Sequence, residues 1–231
     1  MPIRYSSLLV LITAFALQGC TGLANKELRL QNLAKSEVDM IVDQYIKRIN
    51  ALSEELTVKL YKRNPRELAK AASGTTVEDR LAQLLSYPRP IRHSELNNLY
   101  GVDALQLVFD EQFKGDRVFA LMVSITGMVH ASYNYRKEFF LFDEIDSQKL
   151  YNSARNLEKI AWQLHNLKTP NGELFLLSDS MDEGVINLSY ERLIAKMIAH
   201  QEMMAEITAA TSDRTINRIV QGVATAPFLP I

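Results

Sequence analysis

The sequence predicts an all-α fold, an irregular bundle of about six to eight helices. Apolar residues recur every three or four positions over long stretches, which is the period of an amphipathic helix. The 231 residues include only nine glycines and seven prolines, so the chain has few built-in breaks. Several periodic stretches begin with a capping pattern, in which a Ser, Thr, Asp or Asn precedes an acid or amide by three positions. Hydrophobic residues make up 47% of the chain, which excludes a disordered protein.

The first predicted helix is the longest and runs from Asn25 to Arg63. Apolar residues line one of its faces, and charged residues fill the rest. A new helix is predicted at residues 64–67, where an Asn can cap, a Pro suits the first turn and a Glu can reach back to the cap. Residues 75–78 form a second capping box, which predicts the start of another helix.

The middle of the chain predicts the core. Ser94–Phe113 reads as a helix with a break at Gly101, and Arg117–Lys137 as the next helix. Within the latter, Val118–Val129 is apolar nearly all the way round, as in a helix buried in a bundle or a membrane. It is shorter than the ~20 residues that a membrane span needs, so we predict the central core helix. Gly127 would let a neighbouring helix approach closely.

Three more helical stretches are predicted towards the C-terminus. They are Ser147–Leu167, Ser189–Ala210 and a last helix that begins near residue 212. Between them, residues 173–188 fit either a small hairpin or irregular packing. The tail, residues 226–231, is expected to be extended and apolar.

The first twenty residues have the organisation of an export signal. Residues 1–7 carry one positive charge, Arg4, and no acid, and Leu8–Leu17 is an apolar run of signal-peptide length. The run ends in Leu17-Gln18-Gly19-Cys20, which contains the only cysteine of the chain. One cysteine excludes an internal disulfide and a cysteine-rich metal site. A spare thiol is a liability in an oxidising compartment, and lipidation would consume it.

This ending resembles the lipobox of bacterial lipoproteins, and the resemblance covers only residues 1–20. It implies that a peptidase cleaves before Cys20 and that a diacylglycerol is carried on its sulfur. Residues 1–19 would then be the signal peptide, residues 20–25 the lipid anchor and a short tether, and residues 26–231 a single helical domain.

The resemblance also implies a location in the cell envelope. Thr21 follows the cysteine, and the absence of Asp at that position implies the outer membrane, facing the periplasm, in a diderm organism. Two alternatives stay open. One is an ordinary secretory signal cut after Ala24, and the other is a buried N-terminal helix with a chance cysteine.

The sequence contains no recognisable catalytic or metal-binding motif. Its charge is nearly balanced, with 26 basic and 27 acidic residues, so we expect no nucleic-acid partner. His93, His130, His165 and His200 have no second ligand at helical spacing, so we expect no metal and no cofactor beyond the lipid. Nucleophile elbows and phosphate-binding glycine loops are also missing, so we do not expect an enzyme. A core role is the better interpretation for His130 and His200.

Two features indicate an interaction surface. The loop of residues 87–93 combines Tyr87, Arg89, Arg92 and His93 with two prolines that hold it extended, so it loses little entropy on binding. We expect both arginines to be exposed and to face an acidic protein surface or anionic lipid; the alternative is a plain connection between helices. The second feature is a group of methionines that suits either an adaptable surface or core packing: Met181, Met197, Met203 and Met204.

The sequence therefore favours a lipid-anchored envelope protein that acts by binding or assembly rather than by catalysis. A carrier of an apolar or lipid-like ligand is the alternative, and an enzyme of unfamiliar type is the third hypothesis. A cavity lined by residues 118–129 would favour the carrier, whereas a filled core would speak against it. A cleft with two convergent polar side chains would favour the enzyme.

Overall fold

Helices form nearly all the regular structure, as the sequence predicts. The computed structural model describes residues 37–140, 143–179, 187–212, 215–218, 222–223 and 225–231. In these residues the α-helices are α1 (Glu37–Arg63), α2 (Pro65–Leu68), α3 (Val77–Leu85), α4 (Leu105–Val108), α5 (Arg117–Ser132), α6 (Ser147–Asn166) and α7 (Ser189–Ser212). Two 3-10 helices span Ser94–Leu96 and Gly101–Ala104. The export signal with Cys20, and the predicted first turns of α1, lie outside the described residues.

Helix α5 is the centre of the core, which confirms the prediction from its apolar sequence. Every residue from Val118 to His130 is buried. Asp116 begins the helix, because its Oδ1 accepts a hydrogen bond from the Phe119 amide at 2.9 Å. Helices α1, α4 and α6 and the second 3-10 helix pack around α5. None of the helices that the structure describes is long and apolar enough to span a bilayer.

Helices α6 and α7 make the largest helix–helix contact among the described elements, and α7 also packs on α1. The buried face of α6 follows the predicted spacing of three and four residues: Leu150, Ala154, Leu157, Ile160 and Leu164. Gln201 links α7 to α5 and α6, since its side-chain nitrogen donates to Ser132 Oγ and Ser153 Oγ, each at 2.9 Å. The predicted bounds of both helices are correct to within two residues.

The predicted capping interactions differ from the observed ones. Asn64 does not cap α2 with its side chain, and instead binds both main-chain groups of Leu177. Glu67 does not reach back to its own cap but accepts the Arg117 amide at 2.8 Å, at the start of α5. The capping box of α3 joins Thr76 and Asp79, one residue later than predicted. Asn64 and Glu67 are thus used for tertiary contacts, which local spacing does not reveal.

Residues 94–113 are not the broken helix that the pattern predicts. They form the two 3-10 helices, the single turn α4 and irregular chain. Asn97, Asn98 and Gly101 have φ angles of +54°, +58° and +58°, in the left-handed region that ends helices. Left-handed residues also follow the end of α5, at Asn134 and Tyr135, so α5 ends five residues before the predicted Lys137.

The last predicted helix is not found in the residues that the structure describes there. Residues 215–218 are not helical, and residues 226–231 form neither helix nor strand. Between α6 and α7, one antiparallel bridge joins Lys168 and Leu174, and residues 175–179 are irregular. The remaining part of this predicted hairpin, residues 180–186, lies outside the described residues.

Candidate functional site

The loop of residues 87–93 contains no helix, but it bends at residues 87–89 instead of being extended throughout as predicted, and part of it faces the core. The Arg89 guanidinium donates hydrogen bonds to His130 Nδ1 and to the Leu84 carbonyl. It also lies 5.0 Å from the centre of the Tyr87 ring. The expectation that both arginines are exposed is therefore wrong for Arg89, because the guanidinium supplies donors to groups that no water reaches.

His130 is the inner partner of this loop. Burial, together with the charge of Arg89, lowers the pKa of His130 to about 3. The ring is therefore neutral, with Nδ1 accepting from Arg89 and Nε2 donating to Asn50 Oδ1 at 2.7 Å. Both nitrogens are used, which agrees with the interpretation of His130 as a core histidine.

A buried ion network lies next to the same loop. His93 packs edge-on against the Phe119 ring at 4.8 Å, and the Arg80 guanidinium lies 3.8 Å from the centre of that ring. Arg80 is only 1% exposed and holds Glu95 through two hydrogen bonds, of 2.6 and 2.8 Å. Its Nη2 is also 3.4 Å from Asp116 Oδ2. The network therefore connects α3, the first 3-10 helix and the cap of α5.

Burial sets the protonation of this network. It raises the pKa of Asp116, and the neighbouring Arg80 charge opposes that rise. Burial also raises the pKa of Tyr61, whose hydroxyl donates to Asp116 Oδ2 at 2.7 Å. The hydrogen bond from Arg80 lowers the pKa of Glu95. These groups hold one another in place: Arg80, Asp116 and Tyr61 are buried, and Glu95 is partly exposed.

Arg92 is the exposed cation of the loop. Its Nη1 donates to the Asn98 carbonyl at 2.6 Å, and its side chain borders an open groove of about 470 Å³. We call this the Arg92 groove, and its lining includes Arg92, Tyr100, Gly101, Asp103, Gly127, Tyr135 and residues 228–231. Arg92, which the sequence predicts to contact a partner, therefore lies at a concave surface.

The floor of the Arg92 groove is main chain, because two glycines meet there. A Cβ atom on Gly127 would lie 2.9 Å from the Gly101 nitrogen, so only glycine lets the second 3-10 helix sit against α5. This confirms the predicted close approach at Gly127. The rings of Tyr100 and Tyr135 stand 6.3 Å apart at one side, and residues 228–231 form the other. The groove thus offers aromatic faces, main-chain groups and one arginine.

A second polar group lies between α6 and α7. Single ligand atoms of His165, Asp179 and Glu191 all lie within 4.8 Å of one another. His165 Nδ1 is 2.8 Å from the Ala161 carbonyl, and its Nε2 is 3.0 Å from Asp179 Oδ2. Asp179 also accepts the amides of Tyr190 and Glu191, at 3.2 and 3.3 Å. One nitrogen and two carboxylate oxygens could hold a divalent cation, although spacing gave no sign of it; as it stands, Asp179 caps α7.

No protein-family model, no curated protein and no solved structure matches this chain.

The remaining residues singled out in the sequence belong mostly to the core. Met197 and Met204 are fully buried, and Met203 is exposed; Met181 lies outside the described residues. His200 packs edge-on against the Tyr45 ring at 5.0 Å, and burial lowers its pKa. The methionine group is thus core packing with one exposed member.

Sequence reasoning did not find the buried ion network. Arg80 and Glu95 are fifteen residues apart in different elements, and a charged residue in an amphipathic helix is normally solvated. Asp116 carried the only usable signal, since an Asp directly before an apolar helix favours an N-cap.

Proposed function

We propose that this protein is anchored in the outer membrane by a lipid on Cys20, faces the periplasm and binds another envelope component through the Arg92 groove. The observation that carries the binding role is the groove itself. It combines two tyrosine rings, a floor of glycine main chain and an exposed arginine, a combination that is typical of recognition surfaces. The anchor and the location are supported by the resemblance of residues 17–20 to a lipobox.

The packing of the core favours this proposal over a ligand carrier. Every residue of α5 from Val118 to His130 is buried. The Arg92 groove is open to solvent and lies beside the end of α5, not inside the bundle. An apolar ligand would need an enclosed cavity, which buries most of its surface. The groove suits instead a segment or a head group that stays partly in water.

The Arg92 end of the groove suits an anionic group on the partner. Arg92 is the cation of the groove lining and Asp103 is its anion, so the two ends of a bound group would meet opposite charges. Burial raises the pKa of Tyr135, and the neighbouring charge of Arg92 opposes that rise. A carboxylate on an envelope protein is the partner group that we propose, and an anionic lipid head group is the competing outcome.

Replacing Cys20 by alanine tests the anchor. We expect the Cys20→Ala variant to lose incorporation of labelled palmitate and to accumulate as an uncleaved or mislocalised precursor. The reason is that the chain contains no other cysteine to carry the lipid. The measurement is metabolic labelling followed by membrane fractionation. A variant that is still labelled and fractionates normally would remove the anchor from the proposal.

Reversing the charge of Arg92 tests the groove. We expect Arg92→Glu to leave the melting temperature nearly unchanged, because exposed charges contribute little to stability. It should reduce, by about ten-fold or more, the partner that co-purifies with the protein from detergent-solubilised membranes. The matched control is Lys196→Glu, at an exposed position on α7.

Each result of this comparison has a definite meaning. If Arg92→Glu loses a protein partner and Lys196→Glu keeps it, the proposal is supported. If Arg92→Glu loses only co-purified anionic lipid, the lipid alternative is favoured. An unchanged set of proteins and lipids makes the loop a connector. Arg89 is left intact, since its bonds to His130 and Leu84 would mix stability with binding.

A further inference from the structure

Side-chain amides on one face of α6 bind the main chain of the C-terminal region. Gln148, Asn152 and Asn156 follow one another at intervals of four residues, so they stand in a row. Asn156 donates to the Leu229 carbonyl at 2.9 Å and accepts the Leu229 amide at 2.7 Å. Asn152 donates to the Pro230 carbonyl at 2.8 Å. We call these three side chains the amide row.

The other end of the row repeats the same arrangement. Gln148 accepts the Asn217 amide at 2.8 Å and donates to the Asn217 carbonyl at 3.3 Å. Beyond Asn156, the Lys159 ammonium donates to the Ala226 carbonyl and lies 4.9 Å from the centre of the Phe228 ring. Each side chain of the row therefore meets main-chain atoms: Gln148 those of Asn217, and Asn152 and Asn156 those of residues 229–230.

These contacts recognise a peptide by its backbone. A carboxamide has one acceptor and two donors, so it can pair with the N–H and C=O of one residue at the same time. Asn156 does this with Leu229, and Gln148 does it with Asn217. None of the hydrogen bonds just described uses a side chain of the bound residues. Extended chains are bound in this way when main-chain bonds supply the affinity.

The burial pattern places residues 226–231 on the surface of the bundle rather than inside the core. Asn152 and Asn156 are 6% and 1% exposed, as expected of groups covered by the segment. Within the segment, Pro227 and Pro230 are exposed, and Ala226, Phe228, Leu229 and Ile231 are only half-buried. Hydrogen bonds therefore make a large part of the contact, and the apolar burial that would lock the segment in place is modest.

We infer that the amide row is a peptide-binding site and that residues 226–231 are its resident ligand. The ligand class is an extended apolar peptide that contains proline. The occupant in trans is the same segment of a second copy of this chain, because its register on the row is already matched. Exchange between two copies preserves every contact, so it costs little free energy. The inference depends neither on Cys20 nor on the partner of the Arg92 groove.

The experiment measures binding of a labelled peptide to the full chain. The probe is a fluorescent peptide with the sequence of residues 225–231, followed by anisotropy. The full-length Leu229→Pro variant removes the amide that Asn156 accepts, which weakens the resident segment. We expect this variant to bind the probe at least about ten-fold more tightly than the parent chain, in which the resident segment competes.

Two matched comparisons test the backbone mechanism. A second peptide carries N-methyl-leucine at the position of Leu229, so it lacks only that N–H group, and we expect it to bind about ten-fold more weakly. Adding Asn156→Asp to the Leu229→Pro chain removes the side-chain donor that would bind the Leu229 carbonyl of the peptide. This change should weaken binding of the probe by a similar factor. Asn166→Asp makes the same change at an exposed position of α6 and should have no effect.

The outcomes separate a binding site from ordinary packing. Preference for the unmethylated peptide, together with loss in Asn156→Asp but not in Asn166→Asp, supports the site. Equal binding of both peptides, or no binding to the Leu229→Pro chain, overturns it. A further measurement uses the parent chain without any substitution. Excess unlabelled peptide should shift the NMR signal of the Leu229 amide towards the position of an unstructured chain. An unchanged signal also overturns the inference.

Discussion

Replacing Ile125 by aspartate is expected to unfold the helical domain. Ile125 is fully buried in the middle of α5, where its neighbours along the helix are buried on all sides. A carboxylate there has no buried partner, and burying an unpaired charge costs several kcal/mol. The whole stability of a domain is roughly 5–15 kcal/mol, so most of it would be lost. Circular dichroism during heating and urea denaturation measures the effect.

Two control variants separate the effect of burying a charge from the effect of changing the side chain. Ile125→Val keeps the site apolar and should cost only about 0.5–1.5 kcal/mol. Ala195→Asp introduces the same charge at an exposed position of α7 and should change stability by less than about 1 kcal/mol. A melting curve of Ile125→Asp that matches the parent would mean that α5 is exposed in solution, and would reopen a partner-facing role for it.

Replacing Arg80 by methionine is expected to cost about 3–5 kcal/mol at neutral pH. Methionine fills much of the same volume but leaves the carboxylate of Asp116, which is 2% exposed, without its cation. It also removes the paired hydrogen bonds to Glu95 and the contact with the Phe119 ring. The measurement is the free energy of unfolding in urea.

The pH dependence of this loss identifies its cause. Burial already raises the pKa of Asp116, and without Arg80 it rises further, so the folded variant binds this proton more tightly than the unfolded chain does. Its stability therefore falls as pH rises through that pKa. Arg80 also lowers the pKa of Glu95 in the folded parent. This contact stabilises the parent above the pKa that Glu has in the unfolded chain, and the stabilisation is lost as pH falls through the lowered pKa. Because of both effects, the free energies of unfolding of parent and variant should differ less at about pH 4–5 than at about pH 8.

A surface ion pair provides the control for Arg80. Arg218 and Glu206 are 3.1 Å apart, with side chains 67% and 59% exposed. Arg218→Met should change the free energy of unfolding by no more than about 1 kcal/mol, because water screens exposed pairs. If Arg80→Met costs no more than Arg218→Met, or if its cost does not depend on pH, the buried network does not hold these elements together.

The sequence determined those elements whose signal is local. Helices α5, α6 and α7 have apolar residues at the helical period over four or more turns, and burial of that face is the same in almost any helical packing. The absence of helix in residues 87–93 also followed from the chain itself, because proline restricts its own φ and the residue before it. Gly127 was a correct guide to close packing, since only a missing Cβ allows it.

Tertiary structure alone decided which polar side chain meets which partner. Arg89 turns inwards to His130 and Arg92 outwards, although both follow a similar local sequence. Glu67 caps a helix fifty residues away. Leu229 remains extended because Asn156, seventy-three residues earlier, satisfies its main chain. The physical reason is that a polar group must be satisfied wherever the packing leaves it, and the nearest donor or acceptor in space is not the nearest in sequence.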